Sequence, residues 1–111
     1  MNKQPCVYIL ASKRNGTLYV GVTSDLIKRV YQHRNSLVDG FTKRYAVRDL
    51  VWYEIYEFIM GSAILREKQI KSWDRRAKIG LIEKSNPDWH NIWPTLISSS
   101  LNSGFRQSMP E

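Results

Sequence analysis

The chain has 111 residues, of which 42% are apolar and 24% charged, so it fits one globular domain and is neither a disordered chain nor a membrane protein by composition. Its apolar runs are too short for a membrane-spanning helix, and a lone cysteine with two histidines excludes internal disulfides and structural zinc sites, so we expect a cytoplasmic protein. The net charge of +7 favours polyanionic partners such as nucleic acid.

The first predicted element is a β-hairpin. Residues 7–11 and 17–22 are rich in β-forming residues and flank an Asn15-Gly16 pair, a strong hairpin signal. A two-residue turn would place Tyr8 and Tyr19 on the same face, but about 13 Å apart along the strand. A wider loop, with the register shifted by two or four residues, would bring them together, whereas a shift of one would put them on opposite faces.

A helix and a third strand are predicted next. Residues 25–36 carry apolar residues at helical spacing behind the capping run Thr23-Ser24-Asp25. Residues 38–48 form a basic loop with a short turn of helix. Residues 50–59 are dense in β-branched and aromatic residues on both alternations, which is typical of a strand covered on both faces. We therefore expect this third strand to be central in the sheet.

Two more helices and a tail complete the predicted order. Residues 63–72 favour a second helix after the Gly61-Ser62 break, and residues 75–84 favour a third that stops before Asn86-Pro87. From residue 94 the chain is rich in serine, a composition typical of disorder. We expect one domain over residues 1–93 and a disordered tail over residues 94–111.

Short motifs on these elements resemble those of the GIY-YIG nuclease family. They are Cys6-Val7-Tyr8 on the first strand, Tyr19-Val20-Gly21 on the second, and Asp25-Leu26 with Arg29 and His33 on the first helix. Residues 50–54, 63–71 and 78–89 are also similar to short stand-alone bacterial members, whose domain resembles the N-terminal endonuclease domain of a DNA-repair excinuclease. The resemblance covers residues 5–93.

The resemblance implies a fold, an activity and a cofactor. The fold is α+β in the order β-β-α-β-α-α, with a three-stranded antiparallel sheet flanked by helices. The activity is metal-dependent hydrolysis of DNA phosphodiester bonds, with Mg²⁺ or Mn²⁺ as the cofactor. Two positions depart from the pattern, since Cys6 replaces a glycine and Val22 replaces a lysine found in several relatives. The second departure removes a cation that Lys28 or Lys43 could replace.

Arg29 and His33 are candidates for phosphate chemistry on residue type alone. They are four residues apart and therefore share one face of the first helix, beside a strand end that carries two tyrosines. A phosphate there would meet both a cation and a titratable ring. The alternative is an ordinary exposed pair on a surface helix.

Glu67 is the most unusual residue of the second predicted helix. It falls on the apolar arc between Ala63 and Ile70, where a carboxylate is costly unless it binds a metal or is paired. The candidate cations for such a pair are Arg29, Lys43 and Arg44. In the family the matching glutamate is the single protein ligand of a divalent ion, and Mg²⁺ accepts one or two carboxylates together with waters and phosphate oxygens.

The resemblance also implies roles for the other site residues. Arg29 would hold the phosphate, and family precedent makes Tyr19 the general base on the attacking water. His33 is the alternative base, because an imidazole titrates near neutrality and a phenol near pH ~10. Tyr8 would orient the water or Tyr19, and Asn86 would fix Tyr8 or the phosphate. For either tyrosine the alternative is simple packing beneath a helix.

A second hypothesis is a nucleic-acid-binding module that keeps the fold but does not cleave. Residues 1–48 carry nine basic and two acidic side chains, whereas the rest of the chain carries eight of each. The residues expected to grip phosphates and stack bases are Lys13, Arg14, Lys28, Arg34, Lys43, Arg44 and Tyr45. A third hypothesis is a protein-interaction role for the hydrophobic residues 89–97. We expect a monomer, which would cut one strand at a time, with a dimer as the alternative.

Overall fold

The computed structural model describes residues 4–35, 37, 40–57 and 59–98. In chain order its elements are β1 (Cys6–Ala11), β2 (Leu18–Thr23), α1 (Leu26–Arg34), α2 (Phe41–Arg44), β3 (Asp49–Ile55), α3 (Met60–Ser72) and α4 (Arg75–Ser85). The three strands form one antiparallel sheet in the order β2-β1-β3. The expected α+β class, with a three-stranded antiparallel sheet and flanking helices, is confirmed.

The sheet separates two layers of the core. Side chains alternate along β1, so Val7 and Ile9 point to the face covered by α3 and α4, which we call the α3 face. Tyr8 and Leu10 point to the opposite face, covered by α1, which we call the α1 face. All six residues of β1 are buried, because neighbouring strands cover its edges and helices cover its faces.

The central strand is β1, so the prediction that the third strand is central was wrong. The chain after α4 covers the free edge of β3. This edge strand is therefore shielded as a central strand would be, which explains why its sequence has the hydrophobic pattern of a central one. The Leu50 N–H donates to Asn91 Oδ1 (3.1 Å), and the Ile92 N–H donates to the Leu50 carbonyl (2.7 Å). Asn86 Nδ2 donates to the Val51 carbonyl (3.0 Å). A non-strand segment thus satisfies edge groups that a fourth strand would otherwise pair.

The loop of the β1–β2 hairpin is wider than a two-residue turn. The Ser12 N–H donates to the Thr17 carbonyl (3.0 Å), which leaves four residues between them. A tight turn lies inside this loop, closed by the Gly16 N–H donating to the Lys13 carbonyl (2.8 Å). Asn15 takes the left-handed conformation, with φ 57°, that asparagine tolerates in turns.

This loop sets the register of the two motif tyrosines. Tyr8 pairs with Gly21, and Leu10 pairs with Tyr19, so the register is shifted by two residues from that of the two-residue turn. The wider-loop alternative is therefore the correct one. Tyr8 and Tyr19 are diagonal neighbours on the α1 face.

The helices begin and end within a few residues of the predicted bounds. Asp25 caps α1 by accepting from the Lys28 N–H (3.2 Å), and Asp74 caps α4 by accepting from the Ala77 N–H (2.9 Å). The short turn expected in the basic loop is α2. Four residues of the predicted elements lie outside the described residues. They are residues 36, 38 and 39, at the end of the predicted first helix and in the loop, and residue 58 of the predicted third strand. Within the described ranges, each helix is too short or too polar to cross a lipid bilayer.

Residues 93–98 are helical, and this helix begins at the last residue of the predicted domain. Ile92, Trp93 and Leu96 pack against the core layer on the α1 face. The structure therefore differs from the disorder expected for residues 94–98, because apolar side chains in this segment reach the sheet. Residues 99–111 of the predicted tail lie outside the described residues, and the domain boundary stays a prediction.

Candidate active site

Tyr8, Tyr19 and His33 meet on the α1 face of the sheet, and we call them the tyrosine–histidine cluster. The ring centroids of Tyr8 and Tyr19 are 6.2 Å apart, and that of His33 lies 6.0 Å from Tyr8 and 5.4 Å from Tyr19. The hairpin register supplies the two phenols, and α1 supplies the imidazole one turn after Arg29. Residues predicted from three separate elements thus come together.

Gly21 makes room for this cluster. It pairs with Tyr8, and a methyl group on it would lie 2.5 Å from Cζ and Oη of Tyr8 and 3.0 Å from Cε2 of Tyr19. These distances are far shorter than an ordinary carbon contact. The Tyr8 ring lies over Gly21, so the last residue of the second motif must lack a side chain.

Replacement of Gly21 by alanine is expected to lower the free energy of unfolding by about 1–3 kcal/mol, because the new methyl group must displace the fully buried Tyr8. Urea denaturation measures the change. Gly80→Ala is the matched control, since nothing lies within 4 Å of its added methyl group and alanine favours a helix by up to about 1 kcal/mol. Equal destabilisation by both substitutions would contradict the packing role of Gly21.

Both ring nitrogens of His33 are held by hydroxyl groups. Nε2 lies 3.2 Å from the Tyr8 hydroxyl, and Nδ1 lies 2.8 Å from Oγ1 of Thr42. A neutral imidazole offers one donor and one acceptor, and a hydroxyl can take either role. Both ring nitrogens of His33 can therefore form good hydrogen bonds with the two hydroxyl groups. Thr42 is buried at the start of α2 and was not predicted. No sequence pattern links it to a residue nine positions earlier.

Burial and the charge of Arg29 determine the protonation states of His33 and Tyr8. Burial lowers the pKa of His33, and the nearby Arg29 guanidinium lowers it further, so the ring is neutral near pH 7. Burial raises the pKa of Tyr8, and Tyr19 adds to this effect, whereas Arg29 opposes it. Tyr8 is therefore a neutral phenol that can exchange a hydrogen bond with His33.

The lowered pKa of His33 makes the fold sensitive to mild acid. In the unfolded chain the pKa of this ring returns to about 6.5, so the unfolded state binds a proton that the folded state does not. The stabilising contribution is complete above that pH and is lost as the pH falls from there through the folded-state pKa. Its slope is at most about 1.4 kcal/mol per pH unit.

Urea denaturation across this pH range, with wild type beside His33→Gln, measures this dependence. We expect the free energy of unfolding to fall less steeply with acid in the variant, because its side chain at this position does not titrate. His90 and the carboxylates are common to both proteins and cancel in the comparison. Identical pH slopes for the two proteins would contradict a lowered pKa at His33.

Arg29 lies beside the cluster, close enough to influence the pKa of both Tyr8 and His33. Together with Lys28 it lines a depression of about 160 Å³ at the start of α1, where Thr23 and Ser24 also lie. Asp25 lines the same depression, but its carboxylate accepts the capping bond from the Lys28 N–H. The Thr23 hydroxyl is bonded to the backbone of Asp25, so two cations and the Ser24 hydroxyl are left to meet an anion such as phosphate beside the Asp25 carboxylate.

Glu67 lies on the buried arc of α3, as expected, but outside the tyrosine–histidine cluster. Its neighbours on that arc, Ala63 and Ile70, belong to the core layer on the α3 face. Its Oε2 lies 2.5 Å from Nζ of Lys71, one turn further along the helix. Lys71 was not among the expected cations, although the spacing of four residues could have indicated this pair.

The Glu67 carboxylate has the chemistry that Mg²⁺ or Mn²⁺ prefers. It is a hard oxygen donor, its side chain is 10% exposed, and its present partner is the ammonium of a lysine side chain that is 53% exposed and can move into water. The described residues contain no group of three or more His, Cys, Asp or Glu that could hold a metal. Glu67 therefore fits a metal site in which it is the one protein carboxylate and the other ligands are water or phosphate oxygens.

Asn86 holds backbone in this structure. Its Nδ2 donates to the carbonyls of Val51 (3.0 Å) and His90 (2.9 Å), and its Oδ1 accepts from the His90 N–H (3.0 Å). These bonds use both N–H donors and one of the two acceptor positions of the amide, and they fix the chain after α4 against β3. They stand in place of the predicted contact with Tyr8 or a phosphate.

The residues expected to bind nucleic acid lie around the basic half of the chain. Lys13 and Arg14 are exposed in the hairpin loop, Lys28 is exposed on α1, and Lys43, Arg44 and Tyr45 are exposed on or directly after α2. Arg34 is less available to a phosphate, because its guanidinium lies 4.0 Å from the carboxylate of Asp49.

The two residues that depart from the family pattern both lie in apolar surroundings. Cys6 is buried, and burial raises its pKa to about 12. Val22 packs on the α3 face.

Aromatic rings continue from the cluster to the surface. Phe41 stacks on Tyr19 with centroids 6.2 Å apart at 28°, and Tyr45 lies 4.8 Å from Phe41. The Arg44 guanidinium lies over the Tyr45 ring at 5.9 Å. We call Phe41, Arg44 and Tyr45 the aromatic shelf. With Gly40 and Lys43 they line a depression of about 600 Å³.

Residues 4–80 match the family model described as the GIY-YIG catalytic domain. A UPF0213 protein of Staphylococcus saprophyticus is 33% identical over 78 residues, which cover 70% of this chain and 93% of that protein. A UPF0213 protein of Staphylococcus aureus is 35% identical over the same shares. The solution NMR structure of a UPF0213 protein from Bacillus halodurans is similar with a TM-score of 0.50 and 25% identity, covering 79% of this chain and 92% of that one.

Proposed function

The chain belongs to the GIY-YIG family, and from this premise we propose that it is an endonuclease that hydrolyses DNA phosphodiester bonds with the help of a divalent metal. The observation that carries the proposal is the convergence of two phenols and an imidazole beside Arg29. Groups that move protons and a group that binds phosphate are then close together, as hydrolysis of a phosphodiester requires.

Arg29 holds the phosphate group. Its planar guanidinium can donate two parallel hydrogen bonds to phosphate oxygens, and Lys28 adds a second positive charge in the same depression. Negative charge on these oxygens grows in the transition state. The interaction with Arg29 therefore strengthens as the reaction proceeds and accelerates it.

The phenol oxygen of Tyr19 accepts the proton of the attacking water after its own hydroxyl proton has passed to solvent. It is the partly exposed phenol of the cluster, whereas Tyr8 is fully buried. His33, the alternative base, is 2% exposed, and both of its ring nitrogens are bonded to hydroxyl groups. This arrangement favours His33 and Tyr8 as residues that hold Tyr19 in place.

Glu67 would hold the metal through its carboxylate, released from Lys71. When bound, Mg²⁺ or Mn²⁺ supplies a Lewis acid for the charge on the phosphate and the leaving oxygen. Glu67 and Tyr19 approach β2 from opposite faces, since α3 packs against this edge strand and Tyr19 points to the α1 face. We place the scissile phosphate at this edge of the sheet, where groups from both faces can reach it.

The test is conversion of supercoiled plasmid to nicked and linear forms, with magnesium and with EDTA. We expect nicking that requires magnesium. Flap and branched DNA are assayed beside the plasmid, and a gel shift in the same buffers measures binding. Binding to all substrates without cutting any of them would contradict the endonuclease.

Binding without cleavage is the second candidate function. The observation that favours it is the Glu67 carboxylate, which pairs with Lys71 and lies in a different layer from the cluster. The exposed basic residues of the first half would then hold phosphates directly. This candidate predicts binding that weakens steeply with salt and does not respond to a change at Glu67.

A further inference from the structure

We infer that the aromatic shelf binds an unpaired nucleotide beside the scissile phosphate, so that single-stranded DNA is held more tightly than duplex DNA. The inference rests on the proposed function, because it takes the tyrosine–histidine cluster as the place of cleavage.

The aromatic shelf is continuous with the tyrosine–histidine cluster. Phe41 stacks on Tyr19, the proposed base, at a centroid distance of 6.2 Å, and the Tyr45 ring lies 4.8 Å from that of Phe41. Exposure rises along this series, from 2% at His33 to 45% at Phe41 and 49% at Tyr45. A strand bound with one phosphate at the cluster therefore has its next nucleotide over exposed aromatic rings.

Positive charge lies beside these rings. Arg44 lies over Tyr45, and both line the depression of about 600 Å³ next to Phe41. A base can stack on the rings while the guanidinium meets a phosphate of the same strand. Rings and cations side by side are the combination that single-strand-binding surfaces use.

Duplex DNA is not the preferred occupant of the shelf. In a duplex the flat face of each base is covered by its neighbours, so a stacking surface can reach only a base that has left the stack. Proteins that read a duplex insert a helix or a strand ribbon into a groove. The exposed element here, α2, has four residues, which is too short for that role.

The experiment measures binding in EDTA, where cleavage does not take place, by fluorescence anisotropy. The probes are a labelled oligothymidine and a duplex of the same length. We expect wild type to bind the single strand more tightly. Tyr45→Leu and Phe41→Leu should each weaken single-strand binding about tenfold and duplex binding less than about twofold.

Two control variants make the comparison specific. Tyr45→Phe keeps the ring and should retain the single-strand affinity. Tyr31→Leu removes an aromatic side chain of α1 that is 54% exposed and should leave both affinities unchanged. Circular dichroism checks the fold of each variant, and Phe41→Leu and Tyr45→Leu test the same shelf independently.

Equal weakening of single-strand and duplex binding, or no weakening in either shelf variant, would overturn the inference. The same holds if Tyr31→Leu has the effect expected for the shelf. Failure of the endonuclease itself is seen separately, as absence of plasmid nicking. A protein that binds as expected but does not cut contradicts the proposed activity and supports the shelf as a binding site.

Discussion

Replacement of Tyr19 by phenylalanine is expected to slow plasmid nicking by at least about a hundredfold. Phenylalanine keeps the ring that contacts His33 and Phe41, so the local packing is retained. It removes the phenol oxygen that we propose as the proton acceptor. The measurement is a time course of nicking with protein in excess over plasmid, together with a gel shift that should remain unchanged.

Tyr8→Phe is the matched control for this result. The Tyr8 hydroxyl is buried and bonded to His33 Nε2, so its loss leaves that nitrogen without its partner and lowers stability by about 1 kcal/mol. We expect a smaller loss of nicking than for Tyr19→Phe. If Tyr19→Phe cuts at the wild-type rate while His33→Gln does not cut, the general base is His33.

Glu67→Gln should abolish metal-dependent nicking, with a loss of about a hundredfold or more. The amide has nearly the same shape as the carboxylate but lacks the charge that a divalent cation requires. Binding measured in EDTA should remain close to that of wild type. The substitution therefore separates holding the metal from holding DNA.

Lys71→Ala is the control for the ion pair. It breaks the same contact from the other side and leaves the carboxylate in place, and the exposure of Lys71 limits its contribution to stability to about 1 kcal/mol. We expect cleavage to be retained. If both variants lose cleavage equally, the Glu67–Lys71 pair has a structural role, and Glu67 as metal ligand is wrong.

The order of elements could be predicted from local signals. Asp25, in the predicted capping run, accepts the capping bond at the start of α1, and the apolar spacing on α1 and α4 indicates the faces that become buried. The hairpin register could not be chosen from Asn15-Gly16 alone. The wider loop is also held by Ser12 Oγ, which accepts from the Thr17 N–H (2.9 Å), and it matches the packing of Tyr8 over Gly21, a non-local contact.

The site was predictable where the residues belong to a motif. Tyr8, Tyr19 and His33 are on the sequence pattern and do converge. Thr42 was missed because its bond to His33 spans a segment without regular spacing. The amide of Asn86 binds backbone carbonyls because the segment after α4 has no strand partner of its own, a need that residue type does not reveal.

The cover over the edge of β3 also affects the order in which the chain can fold. The turn and hairpin contacts between β1 and β2 join residues that are close in sequence, so these contacts can form early during synthesis. The bond from Leu50 to Asn91 joins residues 41 positions apart, and the Leu50 carbonyl accepts its bond from Ile92. The sheet is therefore completed only after residue 92 has left the ribosome. Until then, β3 keeps an unpaired edge that a chaperone or another nascent chain can bind.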